Sequence, residues 1–165
     1  MSMGKRGKQM AKNALWLSLC FLLVAGCGTD LVPVGFQAPA TAEIGEDITS
    51  GVSVSVRNKG LDPATAEECT GIFWVNFMIS EDEVVDGFGL DDVFLNSVGF
   101  TDFPVDGMET KPVVLGGEYE TLVIPPQAPT GQVYVGVFID AHGYCVGDDA
   151  ANNIDVLPIE ILSAP

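Results

Sequence analysis

The stretch GVSVSVRNKG, residues 51–60, leaves the backbone little choice. Val52, Val54 and Val56 alternate with Ser53, Ser55 and Arg57, a period of two that puts all three valines on one face of a strand and spreads them around a helix. Asn58, Lys59 and Gly60 then turn the chain. The same period returns in IFWVNFMIS, with Phe73, Val75, Phe77 and Ile79 on one face, and in QVYVGVFID, with Val133, Val135, Val137 and Ile139. LVPVGF reads as a first strand and IDVLPIEIL as a last one; Pro33 and Pro158 suggest sheet edges, where a missing N–H is tolerated. VFLNSV reads as a short strand, and VVLGGEYETLVIPP as two strands around a Gly116–Gly117 turn. Residues 98–112 lack a period and read as a long loop or insertion. No stretch reads as a long amphipathic helix. The expected fold is therefore all-β, an antiparallel β-sandwich of about seven strands.

The first 26 residues follow other rules. Lys5, Arg6, Lys8 and Lys12 precede an apolar run, Ala14–Gly26, of thirteen residues. A spanning helix needs about 20. A basic flank, a short apolar core and small residues at its end make a secretory signal peptide. Val24, Ala25, Gly26 and Cys27 resemble the lipobox of bacterial lipoproteins, which implies cleavage before Cys27 and acylation of its sulfur. Several acyl chains on one residue hold a protein stably at a membrane. The alternatives are ordinary cleavage nearby, or an uncleaved anchor with Cys27 an incidental thiol. Gly28, where inner-membrane lipoproteins tend to carry Asp, favours the outer membrane or cell surface. The expected organisation is a signal peptide over 1–26, a short lipidated tether over 27–30 and a sandwich over 31–162.

Cleavage there leaves 139 residues, enough for one domain. Only Arg57, Lys59 and Lys111 then stand against 23 acids, a formal charge of −20. Such a surface repels phosphate backbones, so nucleic acid is excluded as a partner. The rich supply of Val, Ile, Leu and Phe argues for a packed domain over a disordered one. Of four cysteines, Cys20 leaves with the signal and Cys27 takes lipid. Cys69 and Cys145 remain, and in an exported protein they suggest one disulfide, against two separate thiols. No cysteine pair has zinc-site spacing, and His142 stands alone in the sequence.

The order of four pieces resembles the CARDB family, cell-adhesion-related domains of bacterial and archaeal surface proteins. The pieces are DLVPVGF, VSVSVRNKG, VNFMISEDEVVDGFGLDD, and PTGQVYVGVFID followed by Asn152 and Asn153. The resemblance spans residues 30–162 and implies an immunoglobulin-like sandwich that binds rather than catalyses. In VGDDAANN, Asp148 and Asp149 precede the paired Asn, but Ala150 stands where the family often has Glu. The segment 98–112 is longer than the usual connection, and the two cysteines are not a general family feature. On this topology Cys69 lies before the third strand and Cys145 after the sixth, its antiparallel neighbour, so both fall at one end of the sandwich. A bridge there closes about 75 residues and stabilises by about 4 kcal/mol in the chain-entropy model.

Acidic residues 81–92 raise calcium, with Asp82, Asp86, Asp91 and Asp92 as weak candidates, and Asp140, Asp148 and Asp149 as a second group. An EF-hand starting at Asp82 fails because Val84, Leu90 and Val93 occupy ligand positions. A solvated acidic loop is the competing reading, and no other cofactor is indicated. No nucleophile elbow or triad pattern supports catalysis. A partner face is the sharper candidate: Trp74, Met78, Tyr134 and Phe138 are expected to point outward, with Trp74 opposite Phe138 and Met78 opposite Tyr134. Phe100, Phe103 and Met108 of the insertion are the expected cover if the face is closed. The expectation is a lipid-anchored envelope protein, held to the membrane through Cys27, that binds a protein or glycan. Its alternatives are a structural lipoprotein subunit of an envelope assembly, or a calcium-dependent adhesion module.

Overall fold

The alternation in residues 52–57 becomes a strand that buries Val54 and Val56 and leaves Ser53 exposed and Ser55 and Arg57 half-buried. In the computed structural model, which describes residues 28–85, 92–117, 120–140, 142–145 and 152–163, this is the third of eight strands. They are β1 (Leu31–Gln37), β2 (Thr41–Glu43), β3 (Ser53–Asn58), β4 (Phe73–Ser80), β5 (Val93–Phe100), β6 (Thr110–Pro112), β7 (Gly131–Ile139) and β8 (Ile154–Leu162). Two sheets result, one ordered β1-β3-β6 and the other β2-β8-β7-β4-β5. No α-helix occurs among the described residues; a 3-10 turn at Thr49–Gly51 is the helical exception. The inner faces supply Leu31, Val54 and Val56 from one sheet and Phe73, Val75, Phe77, Ile79, Val133, Val135, Val137, Ile139, Ile159 and Ile161 from the other. Full burial of each such side chain stabilises the fold by about 1.5–3 kcal/mol.

Several local expectations need correction. Besides its antiparallel pairs the fold has one parallel pair, β2 with β8. VVLGGEYETLVIPP does not form two strands: β6 ends at Pro112, and residues near Val123 make only an isolated bridge to Asp47. The chain there ties Ile48 to Leu122 and Gly45 to Ile124 by backbone bonds. Pro33 does lie on the edge strand β1, whereas β8 is interior to its sheet. Glu160 donates its N–H to Ala40 on the β2 side, and Pro158, two residues earlier, faces that same side where β2 has not yet begun. The missing N–H therefore breaks no ladder bond.

The insertion 98–112 does not cover the outer sheet face. β5 runs on to Phe100, which stacks on Phe73 at 4.7 Å, and Phe103 meets both rings edge-on at 5.7 and 6.0 Å. These rings close the core at one end of the sandwich. Val105, fully buried, pairs with Ala64.

That end is organised by four side chains. Asn58, fully buried, accepts the N–H groups of Asp30 (3.1 Å) and Gly60 (2.9 Å) on Oδ1. Its Nδ2 donates to the carbonyls of Asp62 (2.8 Å) and Val105 (3.0 Å). Three segments, the lead into β1, the turn after β3 and the return at Val105, thus meet on one amide. Thr65 and Glu68 bond each other's backbone N–H, the reciprocal pattern of a capping box, and start the turn that presents Cys69. Asp140, buried and at φ 48°, accepts the N–H groups of Tyr144 and Cys145 and presents the other cysteine. Cys69 and Cys145 are joined with an S–S distance of 2.12 Å, at the ends of the antiparallel neighbours β4 and β7. Residues 28–30, expected as tether, are already in the fold, with Thr29 buried and Asp30 held by Asn58.

Candidate functional site

The outer face of the five-stranded sheet takes its shape from two glycines. A Cβ on Gly99 would clash with Ile72 Cδ1 at 2.7 Å and touch the Trp74 ring at 3.5 Å, so the indole lies across β5. A Cβ on Gly136 would clash with Val85 Cγ2, so Val85 seats on β7. Val85 is buried, and Met78, paired with Gly136, is only 1% exposed. The face is therefore divided: one part is covered by residues just after β4, and another stays open beside β5.

The open part is a shallow cleft of about 370 Å3 lined by Trp74, Phe94, Asn96, Ser97 and His142. Phe94 is 49% exposed, and the His142 ring stacks on Tyr144 at 5.4 Å. Asn96 is fixed by donating Nδ2 to the Thr121 carbonyl (2.9 Å) and accepting the Ser97 N–H (2.8 Å). Ser97 donates its hydroxyl to Asn76 Oδ1 (2.6 Å), and Asn76 Nδ2, buried beside it, has no hydrogen-bond partner. Aromatic faces with a few fixed polar groups suit a ligand that has both apolar ring surface and hydroxyls. None of the lining residues is Lys, Arg, Asp or Glu.

The expected face, Trp74 with Met78, Tyr134 and Phe138, is not gathered as predicted. Phe138 pairs with Asn76 and Tyr134 with Ser80, two residues from the expected register. Met78 is buried under Val85, and Phe138 is half-buried. Tyr134 donates its hydroxyl to Glu83 Oε1 (3.2 Å). Its phenol is held above the ordinary value, first by the negative charge of Glu83, then by that hydrogen bond, burial and Asp82. Trp74 alone of the four lines the cleft. Phe94, Asn96, Ser97 and His142 were missed. The available signal was Gly99 at the end of VFLNSVGF, a place where a large neighbour can lie flat on a strand.

Of the calcium candidates, Asp82 accepts the Val84 N–H (2.8 Å) in a local turn. Asp92 lies half-buried just before β5, while Asp86, Asp91, Asp148 and Asp149 lie outside the described residues, as does Cys27. Among the described residues no three His, Cys, Asp or Glu side chains gather as metal ligands.

Two sheets packed face to face, with Cys69–Cys145 joining the ends of neighbouring strands, define an immunoglobulin-like β-sandwich. Within that class the fold is that of CARDB domains. The crystal structure of the CARDB domain of a Pyrococcus furiosus protein, in complex with di-metal ions, matches with a TM-score of 0.50 at 14% identity, covering 82% of this chain and 90% of that one. The solution structure of a domain of a "putative cell surface protein" from Methanosarcina acetivorans matches with a TM-score of 0.50 at 15% identity, covering 81% and 92%. A β-glucosidase from Listeria innocua matches with a TM-score of 0.46 at 13% identity over 81% of this chain and only 16% of its own. No family model matches the sequence, and no curated protein does either.

Proposed function

We propose that the protein is an exported, lipid-anchored, non-catalytic binding domain that displays the Trp74 cleft at the cell envelope and holds a neutral glycan there. The observation that carries this reading is the cleft itself: two aromatic side chains, an amide and a hydroxyl on a rigid sheet, open to solvent. The C–H faces of a sugar ring pack on aromatic faces, and Asn96 and Ser97 suit its hydroxyls. Anionic ligands are disfavoured by the charge of −20 that remains after cleavage and by a cleft without Lys or Arg. Hydrolysis is disfavoured because the Ser97 proton points to an amide oxygen, which is no base. The signal-like leader and Cys27 support export and anchoring.

Titration of neutral oligosaccharides into the purified mature domain tests the cleft. Trp74→Ala is expected to weaken binding at least about tenfold, the equivalent of about 1.4 kcal/mol. Phe94→Ala, at a more exposed position, should weaken it without lowering the melting temperature. Unchanged affinity in both variants, or no binding by the unaltered domain, would remove the cleft from the account.

A further inference from the structure

The described chain begins with no slack. Thr29 is buried, Asp30 donates its N–H to Asn58 and accepts the Lys59 N–H on its carbonyl, and a Cβ on Gly60 would run into the Gly28 carbonyl. Cys27 is one peptide away, about 3.8 Å between Cα atoms. Two loop tips meet at the same place. A Cβ on Gly107 would lie 2.5 Å from the Leu61 carbonyl oxygen, so residues 60–61 and 107–108 touch beside Gly28. Their outermost side chains are apolar: Leu61 is 65% exposed and Met108 is 53% exposed. Met108 stands at φ 67°, a left-handed conformation uncommon for any residue but glycine. Arg57, Lys59 and Lys111, the three basic residues that follow Cys27, belong to this end through the β3 and β6 pairing and the Lys59–Asp30 bond. Asp62 and Asp106 are exposed here as well, so the basic residues offset local acid and the contact is chiefly apolar.

We infer that this end of the sandwich is a membrane-contact surface, with Leu61 and Met108 entering the headgroup layer beside the acylated Cys27; the inference rests on the anchoring proposed above. With no spacer between acyl chains and fold, the lipids bring residues 60–61 and 107–108 to the bilayer. Two apolar tips there convert a point of attachment into a surface that fixes the tilt of the domain. The cleft beside β5 is then held at a constant orientation, where a flexible tether would let it tumble.

Hydrogen exchange tests this on the full-length chain expressed with export and acylation, purified and reconstituted in vesicles of phosphatidylethanolamine and phosphatidylglycerol. The comparison is a Cys27→Ser protein free in solution. Amides of Leu61, Asp62, Gly107 and Met108 are expected to exchange about tenfold more slowly on vesicles, with Gly116 and Gly117 unchanged. The intact mass is read on the same sample. Unmodified Cys27 overturns both the anchor and this inference. Acylated Cys27 without slowed exchange overturns this inference and leaves the anchor standing. Slowed exchange that Leu61→Asp with Met108→Asp abolishes, at unchanged melting temperature and intact acylation, is the expected result. Slowed exchange that the double variant keeps would overturn the role of these two side chains.

Discussion

Asn58→Ala is expected to cost about 4 kcal/mol of stability, because it removes four hydrogen bonds at once and leaves buried backbone groups behind. For a domain of this size that lowers the melting temperature by roughly 12–15 °C. The effect should be spread over three segments, since the amide ties residue 30 to the turn at residues 60–62 and to residue 105. Asn58→Asp is a sharper variant. Its carboxylate keeps the two acceptor contacts but turns negative oxygen toward the carbonyls of Asp62 and Val105. Chemical denaturation of the purified domain measures both. A loss below about 1 kcal/mol for Asn58→Ala would mean that water or relaxation replaces the amide.

Removal of the Cys69–Cys145 bridge is the second large effect. The bonded residues are 76 apart in sequence. The chain-entropy model gives about 4 kcal/mol for a loop of that length. Cys69→Ala with Cys145→Ala should therefore melt roughly 12–15 °C lower than the oxidised protein. The turns that start at Thr65 and Asp140 should loosen first, because the bridge is what joins them. An identical melting temperature with and without reductant would reject the bridge as a stabilising element.

The faces of the strands were legible in the sequence because side-chain parity is a local property. Val54 with Val56, Phe73 through Ile79, and Val133 through Ile139 all bury the side that the period assigns. The register between β4 and β7 was not legible. A slide of two residues keeps every side chain on its face, so the pattern is blind to it, and Phe138 came to lie beside Asn76 where Trp74 had been expected. The Asp140 turn that follows β7 was not legible either, because it depends on a carboxylate folding back onto residues 144 and 145, which no periodicity reports.

Coverage of the outer face failed to show for a related reason. The insertion offered Phe103, an obvious cover, yet its ring found Phe73 and Phe100 at the end of the core. Val85 covers Met78 instead, and the clue was a missing side chain at Gly136. Trp74 was legible as a candidate because it sits opposite the inward parity of Phe73 and Val75. Phe94, Asn96, Ser97 and His142 became its neighbours only through strand pairing and the turn after β7. Asn58 was legible as a turn residue, whereas its role as a four-way hub required the return of residues 102–109 to the start of β1.

A binding sandwich carried on a lipidated first residue requires a modified Cys27, and its covalent state can be read in protein taken from the native envelope. Tryptic digestion of the native protein should release an amino-terminal peptide that runs from Cys27 to Arg57 and carries a diacylglyceryl group on the sulfur. A peptide with a free Cys27 thiol, or one that continues uncut through Gly26 into Cys27, would contradict the account.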